Sequence, residues 1–147
     1  MLTETNVRKG TVYLFEDSAC LACLDANGVL ILVQQYREAH ARQTIELPGG
    51  NVLPGESPLE AALREFEEET SLSRPLSVDL LFSLDLDLST SKHRTHVFQA
   101  KVDVCYGEMR VPRGVKVMSL LEANANIKQG MITHAPTVAA ILAQGRP

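Results

Sequence analysis

The sequence predicts an α/β fold of the α+β kind, with a mixed β-sheet packed between helices. Two observations carry that expectation. Apolar runs near residues 11–16, 19–25, 28–35, 43–47, 76–86, 95–104 and 115–118 read as strands. Three segments bear helix-capping signals, and they are dispersed among the strands instead of gathered at one end. A sheet with more strands than helices buries both of its faces most simply when helices cover each side.

The elements follow in order along the chain. Asp25-Ala26-Asn27-Gly28 reads as a turn between two strands, because Asn and Gly tolerate a positive φ. The strand ending at Leu47 runs into Pro48-Gly49-Gly50, where regular backbone is expected to stop, and Pro54-Gly55 is a further turn. Ser57 reads as an N-cap, Pro58 as the first helical residue and Glu60 as the partner in a capping box, for a helix to about Thr70. Ser119 and Glu122 form a second capping box, with Gly130 as the stop. Pro136 opens a third helix that closes before Gly145.

Composition narrows the class. A chain of 147 residues without repeats or linkers is expected to form one domain, 1–147, large enough to build a core without disulfides. A net charge of -4 argues against a stable nucleic-acid partner, which needs a basic surface. Cys20 and Cys23 are expected to be buried thiols, because three-residue spacing on a strand turns them to opposite faces. Residues Met1 to Gly10 are polar, and no apolar run approaches membrane-spanning length. The expectation is therefore a cytoplasmic protein with no membrane partner.

The first helix carries the chemistry. With Glu65 at zero on a helical wheel, Glu69 falls at about +40° and Glu68 at about -60°, so three carboxylates share one face. Leu59, Ala62, Leu63, Phe66 and Thr70 form the stripe expected to be buried. Ala61 falls within the carboxylate face, where its small side chain is expected to leave room for a ligand. Like charges at this spacing repel, and Glu67-Glu68-Glu69 crowd the end where the helix dipole disfavours anions. A hard divalent cation reverses the sign, and such oxygen clusters suit magnesium or manganese. The plain alternative is a solvated acidic face; the wider spacing decides against it.

From Gly50 to Leu72 the chain reads Gly50, five residues, Glu56, seven residues, then Arg64-Glu65-Phe66-Glu67-Glu68-Glu69-Thr70-Ser71-Leu72. This resembles the Nudix box, with one departure: Ser71 stands where the family usually has glycine in a left-handed conformation. The resemblance implies a Nudix-type α/β/α sandwich and a metal-dependent pyrophosphohydrolase. It implies that Glu65, Glu68, Glu69 and the Gly50 carbonyl hold Mg2+ (or Mn2+), that Arg64 orients a glutamate, and that Glu56 supports the loop leading into the helix. Its substrates would be nucleoside diphosphates linked to another moiety.

Outside the box, Val33-Gln34-Gln35-Tyr36-Arg37, Ile45-Glu46-Leu47-Pro48-Gly49-Gly50 and Gln129-Gly130-Met131-Ile132 are similar to the ADP-ribose and nucleotide-sugar pyrophosphatase branch. That likeness implies a small-molecule nucleotide substrate and a homodimer, although the short segment before Thr11 leaves little room for an added dimerisation strand. Within it, Arg37 is a candidate for a substrate phosphate, Tyr36 for stacking on a base, and Glu46 for the ribose or an arginine; each also has a plain structural reading. The branch often has Ser-Pro-Gly where this chain has Leu88-Ser89-Thr90-Ser91, and an acidic base in a loop that here is basic, Met109 to Gly114. Glu108 is the nearest carboxylate and so the candidate base. Otherwise Glu65, Glu68 or Glu69 doubles in that role, or the metal alone activates water. His93 and His96 read as members of a wet loop. A Nudix hydrolase of nucleoside triphosphates or dinucleoside polyphosphates, and a non-catalytic nucleotide-binding module, are the competing readings.

Overall fold

The computed structural model describes residues 3–7 and 10–144, with side chains from residue 11 onward. Along the chain come β1 (Thr3–Val7), β2 (Gly10–Leu14), β3 (Ser18–Leu24), β4 (Val29–Arg37), β5 (Arg42–Glu46), β6 (Gly49–Asn51) and α1 (Pro58–Thr70). Then follow β7 (Asp79–Asp85), β8 (Ser91–Lys92), β9 (Arg94–Lys101), β10 (Val115–Ser119), α2 (Leu120–Lys128) and α3 (Ala135–Gln144). The main sheet runs β10-β4-β3-β9-β7, with β5 paired to β4 and β6 paired to β3. β3 and β9 are parallel while β4, β5, β6, β7 and β10 pair antiparallel, so the sheet is mixed as predicted. β1, β2 and β8 form a second, small sheet.

β3 is the centre of the molecule because both of its faces are covered. Ala19, Leu21 and Cys23 pack with Ala61, Ala62 and Phe66 of α1. The alternate residues Cys20, Ala22 and Leu24 pack with Ala123 of α2 and with Ala140 and Ile141 of α3. This two-residue alternation on a doubly buried strand produces the helix–sheet–helix sandwich. It also separates Cys20 from Cys23. Burial, with Glu46 near the first and Asp25 near the second, pushes both thiols up to about 12, which keeps them protonated and unreactive.

Three expectations are corrected. The segment before Thr11 holds a strand after all, since Thr3–Val7 pairs with Gly10–Leu14. Regular structure also continues past Pro48: Gly49, Gly50 and Asn51 form β6 opposite Cys20, Ala19 and Ser18. The reason is close approach, because a Cβ at Gly49 would sit 2.5 Å from the Ala19 carbonyl oxygen. Finally, Ala61 is fully buried and leaves no room for a ligand; its small size lets α1 settle onto β3.

Both capping boxes form, at Ser57/Glu60 and at Ser119/Glu122. Ser71 closes α1 at φ 58°, ψ 19°, with its N–H donating to the Glu67 carbonyl. A side chain bearing Cβ is strained there by roughly 1 kcal/mol relative to glycine. Ser71→Gly is therefore expected to raise the melting temperature by about 2–4 °C. A lower melting temperature would show that the serine hydroxyl makes a compensating contact.

Candidate active site

The site forms where β6 presses against α1. A Cβ on Gly50 would lie 2.5 Å from Glu65 Oε1 and 2.6 Å from its Cδ, so only glycine lets that carboxylate approach the loop. Arg64 organises the same edge. Its Nε and Nη2 donate to Glu56 at 2.7 and 3.1 Å, Nη1 donates to Glu65 Oε1 at 2.6 Å, and Nη2 also reaches the Asn51 carbonyl at 3.1 Å. Glu56 in turn accepts from the Leu53 N–H at 3.0 Å, which ties the loop to the helix. Glu68, on the outer side of Arg64, is 59% exposed and held by a 3.4 Å contact alone.

Glu69 points inward. It accepts from the Gly49 N–H at 2.9 Å and from the side-chain amide of Gln35. Burial pushes its carboxyl up to about 7, with Glu65 and Glu46 adding to the rise and Gly49 and Arg37 opposing it. Glu65 and Glu69 border a cavity of roughly 450 Å³ whose other walls include Gln35, Arg37, Glu46, Gly50 and His134.

At the far side of that cavity Arg37 grips Glu46 bidentately, Nε to Oε2 at 2.8 Å and Nη2 to Oε1 at 2.7 Å. Thr44 also donates to Glu46 Oε2 at 2.5 Å. Burial raises the Glu46 carboxyl, but the hydrogen bonds from Arg37 and Thr44 outweigh it and the net shift is downward. With both oxygens engaged and 4% of its surface exposed, Glu46 holds Arg37 in place through Nε and Nη2, a grip in which Nη1 takes no part.

Not every nominated residue reaches the cavity. Tyr36 is 58% exposed and faces away, because it alternates with Gln35 and Arg37 on β4. Glu108 sits in a 3-10 turn, Tyr106–Glu108, whose Gly107 lies against Val29 at the opposite end of β4. Gln35 is six residues along the strand from Val29, roughly 20 Å, so Glu108 is out of reach of the helix carboxylates. His96 bonds Ser83 and Asp17, whereas His93 lines the cavity and contacts Ser18 at 3.3 Å. Gln35 and His134 escaped the sequence reading. Gln35 carries a signal in hindsight, two residues before Arg37 on one face of a strand; His134 lies in a loop where no local pattern marks it.

As the side chains stand, no group of three or more His, Cys, Asp or Glu among the described residues converges as around an ion. The donor chemistry nevertheless fits a hard divalent cation. Carboxylates of Glu65 and Glu69 meet in one recess beside the backbone of Gly50, Glu65 raising the Glu69 carboxyl while Arg37 only partly offsets it, and Glu68 is exposed enough to turn.

The ADP-ribose pyrophosphatase of Bacillus subtilis (strain 168) is 46% identical over 52 residues, covering 35% of this chain and 28% of that protein. The ADP-sugar pyrophosphatase of Mus musculus is 35% identical over 74 residues, 50% of this chain and 34% of that one. The methanol dehydrogenase activator of Bacillus methanolicus is 40% identical over 52 residues, again 35% of this chain and 28% of that protein. The chain thus spans about a third or less of the length of these curated relatives. Its fold resembles a crystal structure of an ADP compounds hydrolase, with a TM-score of 0.69 and 19% identity, over 89% of this chain and 75% of that one. The NUDIX domain matches residues 14–139, a span that includes the glycine loop, the carboxylate helix and the far wall of the cavity, and the chain belongs to the NUDIX family.

Proposed function

We propose that this chain hydrolyses the pyrophosphate bond of a nucleoside diphosphate linked to a second moiety, ADP-ribose or a related ADP-sugar, yielding a nucleoside monophosphate and a sugar phosphate. The observation that carries the reading is the pair Glu65 and Glu69, two acids held in one recess where burial raises the Glu69 carboxyl to about 7. Such a pair costs stability in an ion-free protein, a cost that a bound cation would relieve. The pyrophosphatase activities of the Bacillus subtilis and Mus musculus relatives support the substrate class. The same reading takes residues 1–147 as one domain, Mg2+ as the ion and a cytoplasmic homodimer as the assembly.

In this mechanism Glu65, Glu68, Glu69 and the Gly50 carbonyl would hold the ion, and Arg64 fixes the direction of Glu65. When bound, a divalent cation would neutralise charge on the pyrophosphate and lower the pKa of a water, so that it gives up a proton as it attacks phosphorus. Arg37, braced by Glu46, offers Nη1 to a phosphoryl oxygen. Glu69, in its ionised form, is a carboxylate of the recess able to take a proton from the attacking water, and its raised value of about 7 suits that exchange near neutrality; Glu108 is too distant to do so. A panel of ADP-ribose, GDP-mannose, NADH, diadenosine polyphosphates and nucleoside triphosphates, with magnesium or manganese, tests the activity. Preference for triphosphates or diadenosine polyphosphates, or no turnover with tight nucleotide binding, would replace this reading.

Glu68→Gln and Glu69→Gln are each expected to lower turnover about a hundredfold or more while leaving the fold intact. Near wild-type rates in both at saturating magnesium would sink the ion site.

Stability without metal carries a second expectation. The folded protein holds the Glu69 proton more tightly than the unfolded chain does, with 4.5 as the ordinary value and about 7 when folded. Glu69 therefore costs nothing below pH 4.5, costs progressively more as pH rises to 7, and costs most above it. Glu69→Gln in chelator should melt higher than wild type at pH 8, and the gap should close toward pH 4.5. A gap that does not change with pH would refute the buried-acid account.

Glu108→Gln addresses the base. A general base is worth about two to four orders of magnitude, so a distant Glu108 should cost at least about tenfold less turnover than Glu69. Equal losses at unchanged affinity would promote Glu108 to the base.

A further inference from the structure

His134 borders the cavity beside Arg37 and Glu46, yet the carboxylate chemistry of α1 makes no use of it. It stands directly before α3, in a loop fastened at two points. Arg42 of β5 donates to the Thr133 hydroxyl at 2.7 Å, and the Leu47 N–H donates to the Thr137 hydroxyl at 2.9 Å. The imidazole Nδ1 lies 2.8 Å from that same Thr137 oxygen.

These contacts select one tautomer. Thr137 is wholly buried, and its oxygen already accepts from Leu47. The hydroxyl proton needs an acceptor, and His134 Nδ1 is the partner in place. Were Nδ1 to carry the ring proton, the Thr137 proton would be left without an acceptor in the interior, an arrangement native structures avoid. Glu46 Oε1 is 3.8 Å from Nδ1, beyond hydrogen-bond range, and its oxygens are engaged by Arg37 and Thr44. Nδ1 is thus the acceptor and Nε2 carries the hydrogen, on the opposite edge of the ring. Burial, together with Arg37 and His93, keeps the ring's affinity for a second proton below the ordinary value, against the pull of Glu46.

We propose that His134 is a substrate-binding residue whose Nε2–H, together with Arg37 Nη1, forms a two-donor cradle for the phosphoryl oxygen of the diphosphate remote from Glu65 and Glu69. The inference rests on the pyrophosphohydrolase reading and deepens it. Arg37 lies two residues beyond Gln35 on the same face of β4, and Gln35 bonds Glu69, so the donors stand roughly 7 Å further along the strand than the carboxylate wall. Acidic groups on one wall and neutral and cationic N–H donors on the next give a diphosphate a fixed direction in the cavity. Thr137 is then a positioning residue, acting through the tautomer of His134.

Two measurements test this. Long-range 15N–1H correlation spectra of the metal-free protein at pH 8 should show His134 as the Nε2–H tautomer; an Nδ1–H tautomer overturns the proposal. Titration with ADP-ribose in calcium, chosen to bind without turnover, should show affinity about tenfold weaker in His134→Ala. His134→Gln, whose amide can take the place of Nε2–H, should recover most of the loss, whereas His134→Asn, which reaches only the Nδ1 position, should not. In magnesium, His134→Ala should raise KM and leave kcat within about threefold. Wild-type binding with unchanged affinity in His134→Ala overturns this proposal alone. Wild-type protein that does not bind ADP-ribose overturns the functional reading and this proposal with it.

Discussion

Arg64 is the one cation on a helix that also carries Glu60, Glu65, Glu67, Glu68 and Glu69. Its planar guanidinium spends its donors in three directions: onto Glu56 and Asn51 of the preceding loop, onto Glu65, and weakly onto Glu68. A lysine ammonium is a point charge and cannot hold so many acceptors in one plane. Remove that grip and Glu65 loses its direction, the loop loses its tie to the helix, and Gly50 loses the carboxylate for which it leaves space. The hydrogen bonds to Glu56 and Glu65 also hold the Arg64 charge firmly in place, well above any working pH.

The cavity that results is electrostatically divided. On the α1 side stand acids that tolerate one another poorly without a cation. On the side of β4, β5 and α3 stand Arg37 and His134, with Glu46 buried between them. Glu46 is often the kind of residue assigned to a ligand, but here its oxygens are filled by Arg37 and Thr44, and its negative charge serves to brace the arginine. A buried carboxylate satisfied in this way is stable because each lone pair it buries meets a donor. The division of labour gives the cavity a polarity, acids on one wall and N–H donors on the other.

Much of this architecture was legible along the chain. Strand alternation placed Cys20 and Cys23 on opposite faces and the two capping boxes marked the starts of α1 and α2, while the left-handed end at Ser71 was implied by the resemblance to the Nudix box, which has glycine there. These are local properties, set by φ, ψ and side-chain period within a few residues. The order of carboxylates on α1 was likewise readable, because a helix maps spacing directly onto direction.

What the sequence by itself determined, then, was the set of elements and the acidic face of one helix. Only the tertiary structure decided which residues meet across the cavity. Ala61 belongs to the core instead of the ligand face because α1 settles onto β3, and wheel geometry cannot say how closely a neighbour approaches. Tyr36 was set aside by the orientation of β4, and Glu108 by the length of the strand between its turn and the site. Gln35 entered because its amide reaches Glu69 at the end of α1, and His134 because the loop before α3 is fastened to β5. Contacts between residues 34 positions apart, or 91, depend on packing energies summed over the whole fold, and no local spacing encodes them.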